Sequence, residues 1–451
     1  MKQRVFLIHG WSVDETTTYQ ALHLQLARHG YALEDVYLGR YVSLEDRVEI
    51  CDIARAMHTA LDEKLGGDWS RPFHIVTHST GALVARHWVG RHYSGAFCLH
   101  RPLRNLVFLA GPHFGSRLAH HGRSMLAHAR YFGDTGEQVL KALELGSDFS
   151  WGLAESWFDP AVWRDKGVRP YCLTGDRVKK KRLVDEFAAK LLPAGFEPGS
   201  DMVVRVPAGN LNCRRYLLQA KNGTIHPAGE IEDVPFAALA DYVHSGPEAG
   251  IMNSIKRRAT SKGHRALGLI LDCLKVEDDA GYARMRRRLA AETRRTRVEK
   301  KRPAFAQLDF RFRDEEGHPV NDYAIRLGWL DKGVEKPSRA IRHTHKNTVA
   351  PNHFSVFVET GKLDPKKTYF LDLQADSRSE LFSYGPLRVE TAKKIDVLKS
   401  LVRDDQTTQI DVVLSRKAGR KLFVFHPGDD PDLHVKWDRK GEIVGTGLRV
   451  K

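Results

Sequence analysis

The stretch from Phe73 to Val84, F-H-I-V-T-H-S-T-G-A-L-V, constrains this chain more than any other. An apolar strand pattern runs into Thr77-His78-Ser79-Thr80-Gly81 and straight on into a helical pattern. A serine on so tight a strand-to-helix turn has its hydroxyl raised above the sheet, and the G-x-S-x-G pattern uses small residues two before and two after it to make the turn. Ser79 is therefore a candidate nucleophile. Thr77 departs from the pattern at its first position, and the structural alternative is a serine that only caps a helix.

The surrounding 250 residues suit such a turn. Short apolar runs alternate with amphipathic stretches, which predicts an α/β fold with a mostly parallel sheet covered by helices. Expected strands are Val5–Ile8, His74–Thr77, Leu106–Ala110, Tyr171–Thr174, Val203–Val206 and Tyr216–Leu218; expected helices include Tyr19–Arg28, Leu44–Leu65 and Gly81–Val89.

Upstream, Val5 to Trp11 reads as a strand ending in His9-Gly10-Trp11. A tetrahedral oxyanion needs preorganised N–H donors, and the backbone N–H groups of Trp11 and Thr80 are the candidates. An orienting acid and a general base should follow the serine in that order. Asp176, in Leu173-Thr174-Gly175-Asp176, and Asp201, in Pro198-Gly199-Ser200-Asp201-Met202, both compete for the acid; either could instead stabilise a turn. For the base, His244 in Tyr242-Val243-His244-Ser245-Gly246 precedes a helical pattern from Glu248 to Ile255, and it follows Asp201 by 43 positions, enough for a strand and a helix. His226 competes, but Pro227 restricts its backbone to a rigid turn. His244 is preferred.

Together, His9-Gly10-Trp11, Thr77-His78-Ser79-Thr80-Gly81, Gly199-Ser200-Asp201 and His244-Ser245-Gly246 resemble an α/β-hydrolase of the lipase and esterase superfamily over about residues 1–260. Ala110-Gly111-Pro112-His113-Phe114-Gly115-Ser116 is similar to a stretch that follows the next strand in many lipases. The resemblance implies a Ser79, Asp201 and His244 triad. Asp201 matches the turn in which lipases, and phospholipases similar to lecithin:cholesterol acyltransferase, often carry their acid, although Met202 stands where that turn has a second glycine. It also implies hydrolysis of lipid carboxylic esters without a metal or an organic cofactor. A cytosolic carboxylesterase or thioesterase and a non-catalytic lipid- or partner-binding protein are the alternatives.

The expected catalytic region is residues 1–280, with a lid-like, aromatic-rich insertion at about 117–165 that contains Trp151, Trp157 and Trp163. An ordinary cap packed on the core is the alternative for that insertion. Residues 281–302 carry ten basic and two acidic side chains and read as a basic linker helix. Residues 303–451 alternate apolar and polar positions between turns, predicting a smaller antiparallel, sandwich-like β domain with strands at Phe305–Phe312, Tyr323–Leu330, His353–Val358, Tyr369–Leu373, Gln409–Leu414 and Lys421–Phe425.

The chain has 71 Lys and Arg against 56 Asp and Glu, a formal +15, and more than half of that excess lies in residues 281–302. So local a charge suits solvent or an anionic membrane surface. A nucleic-acid partner is not expected, since no recognisable binding motif accompanies the charge. Five scattered cysteines, none in a C-x-x-C pair, predict free thiols and no zinc. No apolar run reaches the roughly 18 residues of a spanning helix or the pattern of a cleaved leader. The expectation is synthesis in the cytoplasm, with any export independent of a signal peptide.

Overall fold

The apolar runs of the first half form strands β1 (Gln3–Ile8), β2 (Tyr31–Val36), β3 (Phe73–His78), β4 (Leu103–Leu109) and β5 (Arg169–Gly175) in the computed structural model. It describes residues 3–10, 17–36, 45–119, 136–177, 197–391, 401–422, 433–437, 439–440 and 443–448. Strands β6 (Cys213–Gln219), β7 (Thr224–Ile231) and β8 (Phe236–Leu239) follow. The first sheet has the order β2-β1-β3-β4-β5-β8 and is parallel throughout.

Both faces of that sheet are covered, which is why its strands read as nearly continuous apolar runs. Side chains alternate across it with the two-residue strand period. Phe6, Ile8, Phe73, Ile75, Leu106 and Phe108 pack on one side with helices Ile50–Leu65, Gly81–Arg91 and Asp148–Phe158. Val5, Leu7, Val76, Val107, Leu109 and Tyr171 pack on the other with helices Thr17–Arg28, Arg265–Leu274 and Asp279–Val298. The strand order reverses at β1, and in open sheets of this kind sites form at the carboxyl ends of the strands beside the reversal. Here those ends carry Gly10 and Ser79.

Strands β9 (Phe305–Asp314), β10 (Tyr323–Asp331), β11 (Val334–Pro337), β12 (Ile341–Lys346), β13 (His353–Glu359), β14 (Thr368–Ala375), β15 (Phe382–Tyr384), β16 (Leu387–Glu390), β17 (Thr407–Leu414), β18 (Arg416–Ala418), β19 (Leu433–Trp437) and β20 (Ile443–Leu448) build the second half. An antiparallel sheet β11-β10-β14-β16 and a six-stranded sheet β12-β13-β9-β17-β6-β7 share a core that includes Phe310, Phe312, Val356, Leu373 and Val412. The larger sheet is mixed, because β17 runs parallel to both β9 and β6.

Several expectations differ from this arrangement. Tyr216–Leu218 lies in β6 of the second sheet, not the first, so residues 213–231 cross into the β region and return at β8. Val203–Val206 is a turn leading into the short helix Val206–Gly209; Pro207, which has no N–H to give a ladder, suits a first helical turn. Glu248–Ile255 is a succession of turns, with Gly246 at φ +107° and the Gly250 N–H closing on the Gly246 carbonyl at 2.9 Å. Arg420–Leu422 is a single 3-10 turn, and the rest of Lys421–Phe425 lies outside the described residues.

Residues 120–135 of the expected lid also lie outside them. Within the rest, Trp151, Trp157 and Trp163 are buried, with Trp157 stacked on Trp163 at 5.7 Å and the Arg86 guanidinium over Trp157 at 5.2 Å. These aromatics fill the core. The basic segment is likewise packed: Met285, Leu289 and Thr296 are buried, while Arg284, Arg287 and Arg294 face solvent. Among the described residues no helix is long and apolar enough to cross a membrane.

Candidate active site

Ser79 directly follows β3 with a left-handed backbone, φ +56°, a conformation that costs a residue with a side chain about 1–2 kcal/mol. Its neighbours permit the turn. The Ser79 N–H donates to the Leu109 carbonyl at 3.0 Å, and the helix Gly81–Arg91 starts at once behind it. A Cβ on Gly81 would stand 2.7 Å from the Ile8 carbonyl oxygen, and one on Gly10 would stand 2.7 Å from the Ser79 Cβ. Both glycines are thus fixed by close approach. Thr77, where the pentapeptide pattern has its first glycine, lies in regular strand paired with Ile8 and Phe108 and has no need of left-handed backbone.

The structure brings Ser79, His244 and Asp201 together. Asp201 Oδ2 lies 3.1 Å from His244 Nδ1, and His244 Nε2 lies 2.9 Å from Ser79 Oγ. A carboxylate only accepts, so Nδ1 carries the ring proton and Nε2 is left to accept from the serine hydroxyl. The other carboxylate oxygen, Oδ1, accepts from the backbone N–H groups of Val203 at 3.0 Å and Val204 at 2.7 Å. The His244 N–H donates to the Asp201 carbonyl at 2.8 Å, tying the two loops through the backbone as well. Asp201 is fully buried and His244 nearly so.

Met202 explains the glycine usual at its position. Its φ is +83°, so this chain holds a methionine in left-handed backbone beside the carboxylate. Asp176, the competing acid, is engaged elsewhere: Arg297 pairs with it and bridges to Asp405, whose Oδ1 and Oδ2 lie at 2.6 and 2.9 Å from that guanidinium. Burial raises the Asp176 carboxyl against the opposing pull of Arg297. His226 is exposed on β7 opposite Leu217.

Thr80 has helical dihedrals, φ −54° and ψ −28°, and leads into the helix, so its backbone N–H belongs to the positive end of that helix beside Ser79. Trp11 lies outside the described residues.

Two partners of the site were not singled out as such from sequence. His78, next to the serine, is buried; its Nε2 donates to the His244 carbonyl at 3.0 Å and its ring lies 4.9 Å from the His244 ring. Burial, with smaller contributions from His244 and His9, holds its pKa down to about 3, so it stays neutral. Ser116 donates from Oγ to the Val203 carbonyl at 2.5 Å, which gives the Ala110–Ser116 stretch a structural task at the Asp201 loop. A polar residue beside the nucleophile was the available sign for the first; nothing in local spacing pointed to the second.

No protein-family model and no curated protein sequence matches the chain. Among solved structures, the phospholipase PlaB from Legionella pneumophila in complex with thio-NAD matches with a TM-score of 0.81 and 27% identity, over 95% of this chain and 97% of that one. A second structure of the same phospholipase also gives 0.81, at 26% identity, over 99% of this chain and all of that one. The likeness therefore takes in the β region as well as the parallel sheet. In fold and in full-length architecture, the chain is a lipase- and phospholipase-like α/β-hydrolase, built as carboxylic ester hydrolases are.

Proposed function

We propose that the chain hydrolyses carboxylic esters of phospholipids, with Ser79 as nucleophile, His244 as general base and acid, and Asp201 as the group that orients and stabilises the imidazole. The continuous hydrogen-bonded line from Asp201 Oδ2 through His244 to Ser79 Oγ carries this reading, and the full-length likeness to a phospholipase supports the substrate class. His244 Nε2 takes the hydroxyl proton as Ser79 Oγ attacks the ester carbonyl. The Thr80 backbone N–H stands where it can donate to the resulting oxyanion. Collapse breaks the bond to the alcohol, which leaves with the proton from His244, and a water deprotonated by the same nitrogen then releases the acid. Asp201 keeps its charge throughout.

The exposed arginines of the helix Asp279–Val298 are proposed to hold the enzyme at anionic lipid. Mass spectrometry of lipid products from mixed phospholipid vesicles tests the reading. Wild type should release fatty acid and Ser79→Ala should not; release from soluble short-chain esters alone would move the assignment to a carboxylesterase.

A further inference from the structure

The loop that carries Asp201 is seated on the β region. Its two ends are stapled together by Arg205, whose Nε and Nη2 lie 2.9 and 3.1 Å from the Glu197 carboxylate, and by the Val206 N–H, which donates to the Gly199 carbonyl at 2.8 Å. Beneath the staple lie two stacked rings, Phe305 at the start of β9 and Phe357 on β13, with centroids 4.6 Å apart and planes within 7°. The Arg205 guanidinium sits over Phe357 at 4.2 Å. Gly199, at φ +76°, lies so close to Phe305 that a Cβ there would come within 2.2 Å of the ring. All of these side chains are buried or nearly so. Position along the chain hides this contact: nearly a hundred residues separate the loop from Phe305, and about 150 separate it from Phe357.

We propose that Phe305 and Phe357 are positioning residues for hydrolysis, a two-ring platform in the β region that fixes the Glu197–Val206 loop and so aims Asp201 at His244. The proposal rests on the catalytic reading above. It gives the β region a part in the chemistry through one loop. If the platform is reshaped, the loop loses its seat, and Asp201 Oδ2 no longer holds the 3.1 Å contact that favours the imidazolium. Misplacement of a catalytic group by about 1 Å can cost on the order of 100-fold in rate.

The test compares Phe357→Leu, which keeps apolar volume but removes the flat face, with Phe312→Leu, a core change on β9 away from the loop. Turnover of a phospholipid, its pH profile, thermal unfolding and the downfield proton resonance of His244 Nδ1–H are measured on the full chain. Phe357→Leu should lower kcat by about tenfold or more with KM little changed. The acidic limb of its pH profile should move, because the Asp201 carboxylate no longer faces the His244 ring at its native distance. Its downfield resonance should shift or broaden. Phe312→Leu should lower the melting temperature without moving kcat, the limb or the resonance. Wild-type values of all three in Phe357→Leu, or the same changes in Phe312→Leu, would overturn the proposal. The failure of the catalytic reading shows separately, as wild type that turns over no ester; the resonance then still decides whether the platform positions Asp201.

Discussion

Asp201→Asn separates geometry from charge at the centre of the site. Asparagine has nearly the shape of aspartate, but its two terminal atoms are no longer alike. In the native protein Oδ1 faces two backbone donors, Val203 N–H and Val204 N–H, and Oδ2 faces His244 Nδ1. The asparagine oxygen must take the two-donor side, which leaves its NH2 pointing at His244. Nδ1 then becomes an acceptor, the ring proton moves to Nε2, and Nε2 can no longer accept from Ser79. The reverse orientation sets the NH2 against both N–H groups and leaves two buried donors unsatisfied at about 1–3 kcal/mol each. With tenfold in rate for each 1.36 kcal/mol, the competent tautomer becomes rarer by roughly 30-fold to 25,000-fold. Steady-state ester hydrolysis by Asp201→Asn and Asp176→Asn would measure this. The reasoning predicts a loss of that order in the first and little change in the second. Asp201→Asn within threefold of wild type, or a larger loss in Asp176→Asn, would refute it.

Further outcomes follow from the same contacts. Asp309, fully buried among Ser355, Gln307 and Arg205, has its pKa pushed up to about 6 by burial. The folded state thus holds that proton more tightly than the unfolded chain, so its contribution to stability is present below about pH 4 and lost as pH rises through 6. Asp309→Asn should accordingly stabilise by about 1–3 kcal/mol at pH 8, with the gain vanishing near pH 4 in denaturant titrations. Glu144, buried between the two halves, accepts from His345 Nε2 at 3.0 Å and from the Thr348 N–H and Oγ at 2.8 Å each. Its replacement by alanine should cost about 2–5 kcal/mol in chemical denaturation, because buried donors lose their acceptor. Reversing the exposed Arg284 and Arg287 to glutamate should weaken sedimentation with anionic vesicles by about tenfold or more, at about 1 kcal/mol per basic residue near the surface, and leave neutral vesicles unaffected.

What the sequence disclosed was local. The turn at Ser79 shows itself because strand, small residues and helix are contiguous, and the order of serine, aspartate and histidine survives any insertion between them. Choosing Asp201 over Asp176 needed more, since both follow apolar segments beside glycine; the decision lies in Arg297, more than a hundred positions from Asp176, which takes that carboxylate. The crossing of residues 213–231 into the second sheet was hidden for the same reason. Nothing local in Cys213–Gln219 distinguishes a strand paired with β5 from one paired with β17. The tryptophans of the insertion read equally as lid or core until Trp157 and Trp163 are seen stacked in the interior. Val203–Val206 misled because apolar β-branched residues there serve the Asp201 turn, where Val203 and Val204 supply N–H groups.

The account stands or falls on Ser79. Active-site titration with a fluorophosphonate, followed by mass spectrometry of the peptides, should find one phosphonyl group per chain on Ser79. Ser79→Ala should take up none, and His244→Ala should label far more slowly. Absence of labelling in active wild-type protein, or a label on another residue, would contradict the account.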